Sequence, residues 1–356
     1  MRKIINMRSA AHTVKGQGVG SAYEEQVALI KKNLSEKYEV HENDLNVKSD
    51  ITHYHTVNLP YFLSFPFVRN SSVMVGYVHF LPETVEQSIK LPFIAKYVFY
   101  KYILWFYKSC DYLVTVNPYF IDCLEEYGVK REKVSYIPNY VDDKKFFPME
   151  KTTKLRAFEK FKLNPDKFTV VCAGQLQTRK GVVDFVECAR RLPDIQFVWA
   201  GGFSFGRIGD GYSEIKKIVE EPPENMRFLG IIDREDMNAL YNIGDVMFLP
   251  SFEELFPMTI LEAMNCKKPI LLRDIPIYEN ILFDYYLRAD DVDGFVKAIE
   301  KLSQDEEHYK ESADLSWKGH LFYNKENVIK MWDEFYSSVL EEKTPKRIAK
   351  RNQKKF

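Results

Sequence analysis

Short apolar runs alternate with stretches of helical period over most of the chain. MRKIINMRS predicts a first strand, followed by a glycine loop and a helix over SAYEEQVALIKKNLSEKY. DITHYH, SSVMVGYVHF, DYLVTV and KVSYIPN predict further strands. After residue 160 or so the pattern restarts, with strands at FTVVCAGQ, IQFVWAGG, MRFLG, VMFLPS and KPILLRD. Helices are expected between them, from about 181, from about 213, over DREDMNALYNIG and from 257. Strands that read as apolar runs and alternate with helices belong to parallel sheets covered on both faces. Two successive runs predict an α/β protein of two doubly wound, Rossmann-like domains. Its ligand is expected where strand carboxyl ends face each other across a cleft. The expected divisions are 1–160, 161–320, a helix over 321–342 returning to the first domain, and a tail at 343–356.

Composition adds limits rather than a function. Hydrophobic residues make up 46% of the 356 and charged residues 28%, which is ordinary for globular domains. The five cysteines are scattered with no CxxC pair, which suits a reducing cytoplasm and argues against structural zinc. The histidines include one close pair, His53 and His55, and no HExxH, so no metal is expected. The start of the chain is too polar for a secretory signal. The net charge of −1 conceals an asymmetry: +1 over 1–150, −9 over 151–342 and +7 over KTPKRIAKRNQKKF. A polybasic tail means disorder or an anionic partner, either membrane or nucleic acid. Nucleic acid would need more than the tail, and neither body domain is basic enough to suggest it, so an anionic membrane surface is the expected partner.

The chemistry concentrates in PSFEELFPMTILEAM. Pro257 suits the first turn of a helix, so the amides of Met258 and Thr259 form an anion seat at its positive end. Glu254 lies in the loop before this start. Glu262 lies one turn inside, on the side of Met258 and Thr259. A diphosphate seated there has one carboxylate near each of its substituents, and carboxylates read sugar hydroxyls by accepting several hydrogen bonds. The plainer alternative is that both acids only complement the helix dipole. The loop GQGVGSAY has Gly16, Gly18 and Gly20 but no glycine at the third position that a GxGxxG dinucleotide fingerprint needs. They make either a tight turn or a close approach to a phosphate or sugar at a helix start. DVD at 291–293 precedes a helical run and reads as an N-cap rather than a metal site.

The segment around the two glutamates resembles the E-x7-E stretch of retaining GT-B glycosyltransferases, glycosyltransferase family 4 in particular. AGQLQTRKG (173–181) is similar to that family's donor-phosphate segment, SYIPNYVDDKKFFP (135–148) to its IPNGVD segment, and FLGIIDREDMNALYNIGDVMFLPS to the stretch before the glutamates. The resemblance implies a UDP-sugar donor as substrate, with no cofactor. It gives the ribose hydroxyls to Glu262, a hydroxyl of the donor hexose to Glu254, and the diphosphate to Lys180 with a lesser part for Arg179. It places His79, after SSVMVGYVHF, near the reaction centre, where a lone histidine is otherwise a structural hydrogen-bonder. Three positions depart from the family: Gln175 replaces an arginine, Pro257 a glycine and Tyr140 a glycine. Transfer with retention is what the family implies; no carboxylate pair is placed as in a double-displacement glycosidase.

The acceptor side is read from IKLPFIAKYVFYKYILWFYKS (89–109), strongly apolar but broken by Lys96, Lys101 and Lys108. Those charges argue against a spanning helix and suit one lying in a membrane interface, or one buried in the first domain. The segments SAAHTVKGQGVGSAYEEQV and GQLQTRKG are also similar to Gram-positive glycolipid glycosyltransferases that extend glucosyl-diacylglycerol, the anchor precursor of lipoteichoic acid. The expected activity is hexose transfer from UDP-glucose or UDP-galactose to a glycolipid acceptor, by a peripheral enzyme on the inner face of the cell membrane. Addition of the first hexose to diacylglycerol, a polysaccharide acceptor, and a decayed, non-catalytic GT-B protein stay open as alternatives.

Overall fold

The structure, a computed structural model, describes residues 2–10, 18–82, 92–203, 211–254 and 256–353, without the side chains of 18, 19, 21, 93 and 343–353. Gly16, residues 89–91 of the apolar segment and the side chains of the basic tail therefore lie outside the described residues.

Two compact units divide the chain. Met1–Tyr140 joins Lys325–Phe356 in the first, and Val141–Asn324 forms the second. The change of unit falls after Tyr140 rather than after 160, because helix Lys151–Phe161 buries Ala157 and Phe161 within the second unit.

The first unit holds six parallel strands: β1 (Lys3–Arg8), β2 (Tyr38–Glu42), β3 (Ile51–Tyr54), β4 (Val73–Val78), β5 (Tyr112–Thr115) and β6 (Val134–Tyr136), ordered β2-β1-β3-β4-β5-β6. Alternation along β3 decides what covers each face. Tyr54 points to helices Leu59–Val68 and Phe93–Ser109, with its ring 4.9 Å from Phe65 and 5.8 Å from Phe106. His53 points the other way, where its Nδ1 lies 3.0 Å from the Tyr336 hydroxyl and its ring 5.6 Å from Trp332. Both of those partners belong to the last helix, Lys325–Gln353, which closes that face of the sheet.

In the second unit the strands are β7 (Thr169–Ala173), β8 (Gln196–Ala200), β9 (Met226–Gly230), β10 (Val246–Leu249), β11 (Ile270–Arg273) and β12 (Leu287–Ala289). Their order is β12-β11-β10-β7-β8-β9, again all parallel. The order reverses between β7 and β10, where Val170 pairs with Val246. β7, β8, β10 and β11 are buried at every position, as their apolar runs require, and Phe185 fills the core against Phe197, Trp199 and Phe248.

Helix Phe93–Ser109 divides its apolar surface. Ile103, Phe106 and Tyr107 are buried, whereas Ile94, Tyr97, Val98 and Trp105 are exposed. Leu59, Leu63 and Phe67 of the neighbouring helix are exposed too, and Phe62 joins the two helices at 4.6 Å from Trp105. Among the described residues, no helix is long and apolar enough to cross a membrane.

Candidate functional site

The reversal between β7 and β10 is where an open parallel sheet leaves a crevice at its strand ends, because the following connections depart to opposite faces. Both loops that leave those two ends carry residues singled out above. After β7 the chain makes a 3-10 turn over Thr178–Lys180 and then Gly181, at φ +71°, before helix Val182–Arg191. A side chain at Gly181 would put its Cβ 2.3 Å from the Pro250 carbonyl oxygen, so glycine is what lets the two loops touch. The Phe252 amide donates to the Arg179 carbonyl at 2.8 Å, which ties the loops together again.

This contact brings Lys180 to Glu254. The ammonium donates to Glu254 Oε1, and Ser251 Oγ donates to the same oxygen at 2.7 Å. Lys180 is 9% exposed and Glu254 8%. Burial pulls the lysine below its ordinary range, with the glutamate acting against that fall. No hydrogen bond to Glu254 Oε2 is made by the described residues. Arg179 is held within the two loops: its Nε donates to Gln177 Oε1 at 2.9 Å and its Nη1 lies 3.4 Å from the Glu253 carbonyl oxygen.

Helix Met258–Asn265 follows. Pro257 is its extended N-cap residue rather than part of the first turn, since its φ of −71° is paired with a ψ of 123°. It offers no side-chain cap, and the amides of Met258 and Thr259 meet no acceptor among the described residues. Thr259 Oγ1 is likewise buried without a partner there. Orphan amides at a helix start, plus the dipole, make a seat for an anion. Glu262 lies farther in, 1% exposed. Its Oε1 accepts from Arg234 Nη1, and its Oε2 accepts from the Tyr241 hydroxyl at 2.7 Å. Burial, with Glu262 next, pushes the Tyr241 phenol well above its ordinary value, so it stays a donor.

Arg234, Tyr241, Ser251 and Arg273 went unmarked in the sequence. Arg273, at the end of β11, donates to the Pro250 and Asp290 carbonyls, pairs with Asp184 and lies 3.9 Å from the Phe252 ring. It braces the segment that carries Ser251 and Glu254. A charged residue ending a buried strand was the one available signal.

Of the other expected residues, Gly18, Gly20 and the histidines belong to the first unit. Gly18 and Gly20 lie inside helix Gly18–Asn33 rather than in a loop before it. His79 follows β4, 6% exposed, stacked on Tyr77 at 4.2 Å, and its Nε2 has no hydrogen-bond partner among the described residues. Burial lowers it to about 3, so the ring is neutral near pH 7. His53 and His55 are buried beside it and shifted the same way. Asp291 caps its helix by accepting from the Gly294 amide at 2.9 Å. No group of three or more His, Cys, Asp or Glu among the described residues could hold a metal ion.

Comparison with known proteins joins these features. Residues 153–316 match the family described as Glycosyl transferases group 1, and residues 31–145 match Glycosyltransferase Family 4. The chain is 42% identical to an alpha-galactosylglucosyldiacylglycerol synthase of Streptococcus pneumoniae, over 93% of this chain and 88% of that protein. It is 27% identical to a processive diacylglycerol alpha-glucosyltransferase of Acholeplasma laidlawii, over 86% and 89%. Among solved structures, sucrose-phosphate synthase of Thermosynechococcus elongatus aligns with a TM-score of 0.78 at 16% identity, covering 96% of this chain and all of that one. Anabaena HepE in complex with UDP-glucose aligns at 0.73 and 13%, covering 95% and all of that chain.

Proposed function

This chain belongs to the GT-B glycosyltransferases of family 4, and we propose that it moves glucose or galactose from a UDP-sugar to monoglucosyl-diacylglycerol, giving dihexosyl-diacylglycerol. The observation that carries the donor half is the uncapped start of helix Met258–Asn265 with a buried carboxylate on either side of it. The diphosphate takes the amides of Met258 and Thr259. Glu262 takes the ribose hydroxyls, and Glu254 takes a hydroxyl of the hexose on its open Oε2. As the bond between the anomeric carbon and the β-phosphate oxygen breaks, Lys180 and the helix amides compensate the charge that gathers on the leaving diphosphate. That role needs no metal. The acceptor hydroxyl oxygen bonds to the anomeric carbon on the same face, with retention, as its proton passes to the departing β-phosphate oxygen. Neutral His79 is assigned to the sugar and acceptor, Gly18 and Gly20 to close backbone approach, and Arg179 chiefly to bracing the loop.

The acceptor class is supported by the kinship with the pneumococcal synthase and by the apolar face of the first unit. Leu63 and Phe67 on that face neighbour the helix of Trp105, which also carries the exposed Lys101 and Lys108. Each lysine close to an anionic bilayer contributes about 1 kcal/mol of attraction. The enzyme is accordingly assigned to peripheral attachment on the inner face of the cell membrane. A second reading, addition of the first hexose, is favoured by the Acholeplasma relative, whose name specifies diacylglycerol.

The deciding experiment supplies UDP-glucose and UDP-galactose with vesicles holding either diacylglycerol or its monoglucoside. Dihexosyl lipid is expected only from the monoglucoside. Product from bare diacylglycerol establishes the second reading, and no product from either lipid rejects both.

A further inference from the structure

Of the two buried glutamates beside the helix start, only Glu254 keeps an oxygen without a partner among the described residues; Glu262 is held at both. A carboxylate has about four acceptor positions, so Glu262 has two filled and about two left. Where those remaining positions point is fixed by Arg234 on one oxygen and the Tyr241 hydroxyl on the other. Arg234 is itself steadied, its Cζ lying 4.9 Å from the centre of the Phe146 ring. It opens the 3-10 turn Arg234–Asp236, which follows the carboxyl end of β9. Its side chain is 40% exposed, against 1% for Glu262, so Arg234 is the solvent-facing member of the pair.

We propose that Arg234 is the positioning and selectivity residue of the nucleoside end, aiming the Glu262 carboxylate so that it reads the vicinal hydroxyls of a ribose. The inference rests on the assignment of Glu262 to the ribose. Two features argue for it beyond a structural ion pair. Burying a carboxylate costs several kcal/mol, and an apolar side chain at 262 would fill the same space without that cost. The helix already has Met258, Ile260, Leu261, Ala263 and Met264 buried around that position, so an acid there answers to something other than packing. Vicinal hydroxyls also need two acceptor directions at once, which a rotating carboxylate does not hold. The planar guanidinium on Oε1 with the phenol on Oε2 prevents that rotation.

The test uses the full chain without acceptor and measures binding of UDP, 2′-deoxy-UDP and 2′,3′-dideoxy-UDP by calorimetry. The wild type is expected to lose about 10- to 100-fold in affinity when the hydroxyls are removed, the effect of leaving a buried acceptor unpaired. Arg234→Met is expected to bind UDP about 10-fold more weakly and to hold the three nucleotides within about threefold of one another. In turnover assays its donor KM should rise by a similar factor while kcat changes less than about threefold, because the interaction is made equally in ground and transition states. Arg234→Lys should restore part of the discrimination.

An Arg234→Met protein that discriminates as the wild type does overturns the proposal and leaves the ribose assignment of Glu262 standing, provided Glu262→Gln has lost discrimination. A wild type that binds all three nucleotides alike overturns the assignment and the proposal together. Should Arg234→Met fail to fold, Arg234→Lys and Phe146→Leu carry the same test, and an unchanged affinity ratio in both overturns it.

Discussion

Lys180 donates its ammonium to the Glu254 carboxylate across 74 residues of chain, and the two are almost out of reach of water. One follows β7 and the other β10, so the pair spans the place where the strand order of the second unit reverses. A buried charge deprived of its partner costs about 3–5 kcal/mol. Lys180→Met is therefore expected to lower the unfolding free energy by that order, with turnover down about 100- to 1,000-fold through loss of charge compensation. Lys180→Met with Glu254→Gln should regain stability without regaining turnover. Chemical denaturation and product formation on the same preparations separate the two effects.

Gly181 offers a steric test of the same junction. Alanine there places a Cβ 2.3 Å from the Pro250 carbonyl oxygen at a φ of +71°. A left-handed non-glycine residue costs about 1–3 kcal/mol before any clash is counted. Gly181→Ala is expected to lower the melting temperature and raise the donor KM, because the loop bearing Glu254 must retreat. Unchanged donor affinity in a folded Gly181→Ala protein contradicts that coupling.

Arg273 supports the loop from the other side. Its replacement by methionine frees the Pro250 and Asp290 carbonyls and leaves Asp184 without its ion partner. A loss of about 2–4 kcal/mol is expected, since hydrogen bonds to charged groups contribute about 1.5–3 kcal/mol each and are not additive. Lysine at 273 should recover little, because it cannot reach three acceptors from one plane. Urea unfolding of the two variants checks this ordering.

The three buried histidines make stability depend on acid. Burial lowers His53 and His79 to about 3 and His55 well below its ordinary value. The unfolded chain, with its histidines near 6.5, then binds more protons than the folded one below that pH. Stability is fully present above about pH 6.5 and falls as pH drops toward 3, by about 1.4 kcal/mol per pH unit for each histidine. His79→Asn should flatten the slope by about one proton. A slope of unfolding free energy against pH that is the same in wild type and His79→Asn rejects this account.

The exposed apolar face is tested by changing it alone. Full burial of a large apolar side chain contributes about 1.5–3 kcal/mol, so Leu63→Ser with Phe67→Ser should weaken vesicle binding by tenfold or more. Both side chains are mostly exposed, so folding and UDP affinity are expected to stay as they are. Flotation with vesicles containing anionic lipid, alongside calorimetry with UDP, reads both. Equal flotation of the variant and the wild type contradicts the assignment of this face.

Much of the architecture was visible beforehand because buried parallel strands must be apolar on both sides. FTVVCAGQ, IQFVWAGG and SSVMVGYVHF could hardly be anything else. The strands that escaped notice lie at sheet edges: Tyr38–Glu42 is partly exposed and carries His41 and Glu42, and Leu287–Ala289 is three residues long. Helix Leu59–Val68 was hidden for a different reason. It contains Pro60 and Pro66 and has no polar face, so neither propensity nor period announces it. At the site, Glu254 and Glu262 could be named because they share one short segment with a helix start. The residues that hold them could not. Arg234 precedes Glu262 by 28 positions and sits in a 3-10 turn, where no periodicity links it to a helix three elements later. Gly18 and Gly20 misled in the opposite direction, since glycines before a helical period look like a turn even when the helix has already begun.

The last helix has a bearing on how the protein is made. The second unit is continuous from Val141 to Asn324, whereas the first needs Lys325 onward to complete itself. Trp332 and Tyr336, which seal His53 from water, are therefore translated after every residue of the later unit. On a ribosome the earlier sheet waits with one flank covered only in part, by helix Gly18–Asn33, while its successor is already able to fold. A released chain ending at 324 should thus resist protease over Val141–Asn324 and be cut within Met1–Tyr140, the reverse of the order in which the two were synthesised.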